Sequence, residues 1–219
     1  MILAVTGGKG GVGKTTLAYN LAAALDAVVV DADLGMADLP AARGPDLHDV
    51  LAGRAAVEET IRPGAVNVVP CGRTLAGARA ADVTRLVDAL EAVERAHGRV
   101  VVDCPAGRRA DAGVPLAAAH ACLVVVSPRA FALADAIRTR ELARELEAGL
   151  VACAINRVVE PPPTDAIADA LGAPAAAVPA DPRVGRSVVT ERPVVTAAPQ
   201  SDAAAAIRSL ADRVPARGR

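Results

Sequence analysis

A three-layer α/β fold, with a mostly parallel sheet between helices on both faces, is what this sequence predicts for residues 1–219 as one domain. Three observations predict it. Short apolar runs alternate with helical stretches from end to end. The runs are continuously apolar, as strands read when helices cover both faces. Two of them end in aspartate, Val30-Asp31 and Val102-Asp103, which suits a sheet whose polar chemistry gathers at strand carboxyl ends. A chain of 219 residues is long enough to bury a core of this kind.

The strand runs are 2–6, 27–31, 66–69, 99–103, 121–126 and 150–155, with a short one over 175–178. Residues 15–25 form a helix directly after the first run. Residues 82–96 are amphipathic, with Val83, Leu86, Val87, Leu90 and Val93 on one face and Gly98 as the stop. Over 131–148, Leu133, Ile137, Leu142 and Leu146 point inward. The outer face there carries Arg138, Arg140, Glu141, Arg144, Glu145 and Glu147. Its mixed sign reads as a solvated face with i,i+3 pairs rather than a DNA-binding stripe. Pro161-Pro162-Pro163 makes a stiff loop, Thr164 an N-cap and Gly172 a helix end. In the stretch 201–214, Ile207, Leu210, Ala211 and Val214 share a face that reads as core packing.

Chemistry enters with the lysines. The chain has two, Lys9 and Lys14, and arginine supplies the rest of its 24 basic side chains. Positions 9 and 14 therefore call for a compact ammonium where a planar guanidinium would not serve. Gly8-Lys9-Gly10-Gly11-Val12-Gly13-Lys14-Thr15 fits G-x-x-x-x-G-K-[ST], the phosphate-cradling loop, between an apolar strand and a helix. Glycines let backbone N–H groups converge on phosphate oxygens, and the helix N-terminus adds a favourable dipole. Lys14 is the candidate contact to β/γ-phosphates and Thr15 the candidate Mg²⁺ ligand. Asp103, after four residues of strand, is placed as a Walker B aspartate that orients waters around nucleotide-bound Mg²⁺. No lysine lies beyond Lys14, so no Asn-Lys-x-Asp guanine motif is available and the expected base is adenine.

These segments resemble the MinD/ParA family of deviant Walker A P-loop ATPases, and MinD-like members more than ParA. Lys9 to Thr16 is similar to the deviant Walker A motif, and Asp31-Ala32-Asp33-Leu34-Gly35-Met36-Ala37-Asp38-Leu39 to the first switch. Asp103-Cys104-Pro105-Ala106-Gly107 is similar to the second switch, with Cys104 where Thr or Ser is more usual. Leu47 to Gly53 resembles the short helix after the first switch. Ala154-Ile155-Asn156-Arg157 resembles the adenine-side strand end. Val178-Pro179-Ala180-Asp181, with Pro193-Val194-Val195, resembles the C-terminal nucleotide-pocket segment.

The resemblance implies a P-loop NTPase fold and an ATPase that works with ATP and Mg²⁺ as an ATP-dependent homodimer, a switch for spatial positioning, cell division or partition. It implies that Lys9 reaches a partner protomer's phosphates and that Lys14 acts on phosphates of its own chain. It also implies that Asp33 positions attacking water and that Thr15, Asp33 and Asp103 serve the metal. Gly8, Gly10, Gly11, Val12, Gly13, Lys14, Thr15 and Thr16 are then nucleotide contacts, with Asp38 near the γ-phosphate. Asn156 and Arg157 lie on the adenine side, Pro179 and Asp181 line the base, and Asp135 faces the dimer. The chain departs from the family at Arg129, where a charge is reversed, and in its tail, which closes on Pro215-Ala216-Arg217-Gly218-Arg219 instead of an amphipathic membrane helix.

Net charge is −1, which gives no strong pull toward nucleic acid or membrane. Tyr19 and Phe131 are the only aromatic residues, so base-stacking platforms are excluded. Cys71, Cys104, Cys122 and Cys153 form no C-x-x-C pair. Cys122 and Cys153 read as small hydrophobes inside strands, whereas Cys71 and Cys104 fall near loops, where a thiol could react. The chain starts on a strand, without a signal peptide, and no run reaches the ~18 apolar residues of a spanning helix. A cytoplasmic protein with reduced thiols is expected, its activator or cargo unnamed. The alternatives are a DNA-partition ATPase of the ParA type and a metabolic enzyme on the same fold.

Overall fold

The computed structural model describes residues 1–35, 37–40, 43–107, 110–128 and 132–216. Seven strands make one parallel sheet: β1 (Ile2–Thr6), β2 (Val28–Asp31), β3 (Asn67–Val69), β4 (Val100–Asp103), β5 (Ala121–Val126), β6 (Gly149–Val158) and β7 (Ala175–Pro179). Their order is β3-β2-β4-β1-β5-β6-β7. β1 lies between β4 and β5 and is parallel to both. The chain builds the sheet outward from β1 in two directions, so the crevice at its carboxyl end is a topological switch point, where α/β sheets bind ligands.

The helices are α1 (Lys14–Leu25), α2 (Leu47–Leu51), α3 (Leu75–Ala80), α4 (Leu86–His97), α5 (Ala110–Ala117), α6 (Ala132–Glu145), α7 (Thr164–Leu171), α8 (Pro182–Arg186), α9 (Val194–Ala197) and α10 (Asp202–Ala211). Strand side chains alternate between two cores, as the two-residue repeat demands. Leu3 and Val5 of β1, Val29 of β2 and Val101 of β4 enter one core with Leu17 and Leu21 of α1 and Ile207 and Leu210 of α10. Ile2, Ala4, Val28, Val30, Val100 and Val102 enter the other, with Leu86, Leu90 and Val93 of α4 and Ala143 of α6. The continuous apolar runs thus have helices on both faces. Ile207 and Leu210 are fully buried, so the apolar stripe near the C-terminus is core packing, as expected.

Strand expectations hold within a residue or two, except that β6 runs on to Val158. Three helix details differ from the sequence reading. Asp82 starts a 3-10 turn, Val83–Arg85, before α4; its carboxylate accepts from the Thr84 N–H. Thr164 is the first residue of α7 and not its cap. Pro163 takes the cap position with no side-chain hydrogen bond, since its ring carries no acceptor, and the Thr164 N–H donates to the Pro162 carbonyl. α6 stops at Glu145, before Glu147 turns left-handed at φ 60°. Its outer face carries an i,i+3 pair of the expected kind, Arg144–Glu141, and Arg138 pairs with Asp135, which the sequence reading had not placed on that face. Arg129 and Phe131 lie outside the described residues.

α1 is buried nearly all round, since α8, α9 and α10 cover the side away from the sheet. That leaves Asn20 fully inside, where a carboxamide needs partners. Its Nδ2 donates to Thr16 O and Ser187 Oγ, both at 2.7 Å, and its Oδ1 accepts from Val194 N at 2.7 Å. One side chain thus fixes the segment from α8 to α9 against the helix that leaves the phosphate loop. Asn20→Ala strands the Val194 N–H and removes a partner from Ser187. The expected loss is about 2–3 kcal/mol, a fall of roughly 4–10 °C in Tm, checked by thermal denaturation; an unchanged Tm contradicts the bridge.

Candidate functional site

Every predicted site residue lies at the carboxyl edge of the sheet or in a loop leaving it. The 7–13 loop leaves β1 and passes into α1 through Gly13, which caps the helix at φ 94°. Glycine is required at position 13 on two counts. The left-handed backbone disfavours a side chain, and a Cβ there would sit 2.3 Å from Asn156 Nδ2. Gly8 is packed as closely, since a Cβ would lie 2.6 Å from the Cβ of Asp135 on α6. Gly10 and Gly11 face open space.

β6 meets this loop from the side. Asn156 Nδ2 donates to Val12 O at 2.9 Å, and Arg157 Nη1 donates to Gly11 O at 3.0 Å. Consecutive strand residues ordinarily point to opposite faces. Here the register with β7 shifts between Asn156 and Val158, and Arg157 is left-handed at φ 62°. That bulge re-aims both side chains at one loop. Beside them is a cavity of about 320 Å³, lined among others by Thr16, Asn156, Arg157, Pro179, Asp181 and Val184. This is the size of a small-ligand site. It unites four of the predicted base-side residues, Asn156, Arg157, Pro179 and Asp181, with Thr16 of the phosphate helix.

On the other flank, charge is concentrated and buried. Lys14 is 8% exposed, and Asp31 and Asp103 are 0% and 1% exposed. The Thr15 hydroxyl bonds Asp103 and lies 3.5 Å from Asp38 Oδ2, so one proton serves two carboxylates. Asp103 Oδ1 is buried with no hydrogen-bond partner. Burial pushes the Asp103 carboxyl up to about 8, with the charge of Asp31 adding to it; Thr15 and Lys14 pull the other way. Among the described residues no set of three or more acidic, His or Cys side chains is placed to hold a metal. Mg²⁺ is ordinarily held by one or two protein ligands, retained waters and substrate phosphates. A threonine hydroxyl beside an orphaned carboxylate oxygen fits that mode: Thr15 would ligate the cation and Asp103 would accept from one of its waters.

Two residues of this site carry roles that the sequence reading missed. Asp31 staples the 31–39 loop: its carboxylate accepts from the N–H groups of Asp33, Asp38 and Leu39 at 3.1–3.2 Å. Burial, the dominant influence, pushes its carboxyl up to about 6 despite those bonds. His48 on α2 anchors the same loop, with Nε2 3.1 Å from Leu34 O. The aspartate that closes a strand two residues before Asp33 was a legible signal for the first; a lone histidine gave none for the second. Lys9, exposed for half its side chain, ion-pairs with Asp135 Oδ2 at 3.2 Å within the same chain. Met36 lies outside the described residues. All four thiols are buried, and burial pushes those of Cys122 and Cys153 up to about 12. Cys71 and Cys104 are raised as well, also by burial first, so the reactive role open to them in the sequence has no support.

The buried carboxylates have a consequence for stability. A native state that keeps the Asp103 proton to about pH 8, while the unfolded chain releases it near pH 3.9, loses stability as pH climbs through that window. Asp103→Asn removes this loss. In nucleotide-free, chelator-treated protein the variant should melt above wild type at pH 8, by roughly 10 °C or more, and the gap should close toward pH 4. Equal melting at pH 8 contradicts the assignment of a buried, uncompensated carboxylate.

The same fold recurs among known proteins. The family model for the CbiA-type CobQ/CobB/MinD/ParA nucleotide-binding domain matches residues 3–202. An uncharacterised ATP-binding protein of Methanocaldococcus jannaschii is 33% identical over 97% of this chain and 86% of its own length. The cell-division ATPase MinD of Pyrococcus furiosus superposes with a TM-score of 0.89 at 30% identity, over 97% of each chain. The septum site-determining protein MinD of Pyrococcus horikoshii, solved in complex with Mg-ADP, gives 0.88 at 28% identity over 96% of this chain and 94% of its own. The chain belongs to the CobQ/CobB/MinD/ParA family of nucleotide-binding domains and has the MinD P-loop fold.

Proposed function

We propose that this single-domain protein is a MinD/ParA-type ATPase that binds Mg·ATP at the 8–15 loop, closes as a homodimer, hydrolyses ATP to ADP and phosphate, and so acts as a switch for a partner or cargo. One observation carries the reading. The phosphate loop is flanked by buried Lys14, Thr15 and an orphaned Asp103 oxygen on one side. On the other it is tied by Asn156 to a purine-sized cavity. The Mg-ADP bound by the Pyrococcus horikoshii relative supports the same ligand here.

Roles follow from position. The loop N–H groups and Lys14 hold the β/γ-phosphates, and Thr15 ligates the cation, whose charge offsets what builds up on the phosphates during transfer. Asp103 fixes the cation's hydration through its free oxygen. Asp33, held by the Asp31 staple, orients the attacking water. Asn156 commits its amide N–H to Val12 O, which leaves its carbonyl oxygen to accept from an exocyclic amine, and adenine carries one where guanine carries an oxygen. Lys9 is parked on Asp135 at the surface. Release from that pair lets it reach a second protomer, where an added cation would accelerate phosphoryl transfer. We place the protein in the cytoplasm, where four free thiols stay reduced. Among the described residues no helix is long and apolar enough to cross a membrane.

Three variants separate the steps. Lys14→Ala should lose Mg·ATP affinity by at least about 100-fold, two hydrogen bonds to charged groups being at stake. Asp33→Ala should bind Mg·ATP and accumulate dimer without releasing phosphate. Lys9→Ala should bind Mg·ATP and neither dimerise nor hydrolyse. Calorimetry, light scattering and a phosphate-release assay read these. Unchanged affinity in Lys14→Ala refutes the site; a wild type and Asp33→Ala that both stay monomeric in saturating Mg·ATP refute the dimer switch.

A further inference from the structure

Arg157 stands where glycine would fit the backbone better. Its φ is 62°, in a left-handed region that is unfavourable for a residue with a Cβ. The pairing of β6 with β7 shifts register at this point. A glycine would make such a bulge without strain. The strained position instead carries a long side chain, and its Nη1 donates to Gly11 O at 3.0 Å.

Gly11 lies in the part of the phosphate loop that packing holds least. It is itself left-handed at φ 76°, and a Cβ at Gly10 or Gly11 would meet nothing within 4 Å. The loop also borders a second cavity, of about 350 Å³, lined among others by Lys9, Gly10, Gly11, Ser127 and Arg157. Arg157 lines the base-side cavity too, so its side chain is a wall between the two. Consecutive glycines beside open space leave the backbone many conformations, and the bond from Arg157 restricts them.

Peptide geometry links this contact to phosphate. In a trans peptide the C=O and the N–H point in opposite directions. The Gly11 carbonyl shares its peptide with the Val12 N–H, and the Val12 carbonyl shares its own with the Gly13 N–H. Arg157 and Asn156 hold these two carbonyls toward β6, at 3.0 and 2.9 Å. The Val12 and Gly13 N–H groups therefore point away from β6 and its cavity. Neither donates to another backbone group among the described residues. Successive N–H groups held in this way make an anion-binding concavity.

We propose that Arg157 is a positioning residue for the phosphates and not a contact to the base: it fixes the loop so that the Val12 and Gly13 N–H groups face the phosphates before the nucleotide arrives. The inference rests on the nucleotide reading above and deepens it. It moves Arg157 from the adenine side, where the family resemblance put it, to the phosphate side. Donors ordered in advance lose little freedom when the ligand binds, and that strengthens binding. A guanidinium suits the task, since a charged donor makes the stronger bond to a carbonyl. Asn156 holds the next peptide in the same way and keeps its own carbonyl oxygen for the base.

The test uses the full chain as wild type, Arg157→Ala and Arg157→Gly. Glycine adopts this φ without strain, so it guards against a folding defect peculiar to alanine. Each protein is titrated calorimetrically with ADP and with inorganic pyrophosphate, both with Mg²⁺; pyrophosphate offers phosphates without a base. Both variants should lose about tenfold in affinity for either ligand, the scale of one bond from a charged donor, and the two losses should agree within about twofold. Backbone amide relaxation by NMR should show Gly11 and Val12 more mobile in both nucleotide-free variants than in wild type. A loss confined to one ligand, or no loss with either, overturns the proposal and leaves the ATP reading standing. Equal losses with unchanged mobility of the free loop also overturn it, since Arg157 then touches the phosphates itself. So does a wild type that takes ADP but not pyrophosphate, because a prearranged loop binds phosphate without a base. A wild type that binds neither ligand overturns the site assignment itself, and this proposal with it.

Discussion

Burying charge at the end of a sheet is the constraint on which the rest of this structure depends. Lys14, Asp31 and Asp103 are all nearly inaccessible, and ionised groups in such a setting are costly unless paired. The chain pairs them incompletely. Three backbone N–H groups satisfy Asp31, but Asp103 keeps an oxygen with no partner. The fold holds these groups in place because each closes a rigid parallel strand or opens the helix that follows one, with apolar cores packed on both faces of the sheet. The result is a preorganised polar edge whose unmet demand is for a cation and its phosphates, in keeping with the rule that electrostatic catalysis relies on groups fixed before the substrate arrives.

The two ends of the nucleotide site are joined mechanically. Asn156 and Arg157 are covalently part of β6, yet both donate to carbonyls of the phosphate loop. A left-handed arginine and a register shift make this geometry available. On the cation side, Asp31 and His48 hold the backbone around Asp33 from two directions, so the Asp33 carboxylate is placed by β2 and α2 together. Lys9 differs from the rest of the constellation. It sits half exposed on Asp135, in a modest surface ion pair.

Much of the fold was legible because burial on both faces leaves a strong mark. Uninterrupted Val and Ala runs located seven strands, and the two lysines within a glycine-rich turn located the phosphate loop. What was hidden depends on contacts distant in sequence. Asn20 reads as an ordinary polar helix residue until α8 and α9 cover it. His48 and Asp31 act on the first-switch loop through backbone groups that no spacing rule names. Thr164 was misread because a Ser/Thr before an apolar stretch usually caps, whereas three prolines had already placed Pro163 at the boundary.

The central claim is that the orphaned carboxylate edge and the glycine loop form one Mg²⁺-dependent nucleotide site. The most direct measurement is the thermal stability of the wild-type protein at pH 8 with ADP, with and without Mg²⁺. A ligand at about 100 times its Kd adds roughly 2.7 kcal/mol, or about 5–10 °C for a chain of this size. The account predicts a rise of that order with Mg·ADP and a much smaller one when the metal is chelated. An equal rise with and without Mg²⁺, or no rise with either, would contradict it.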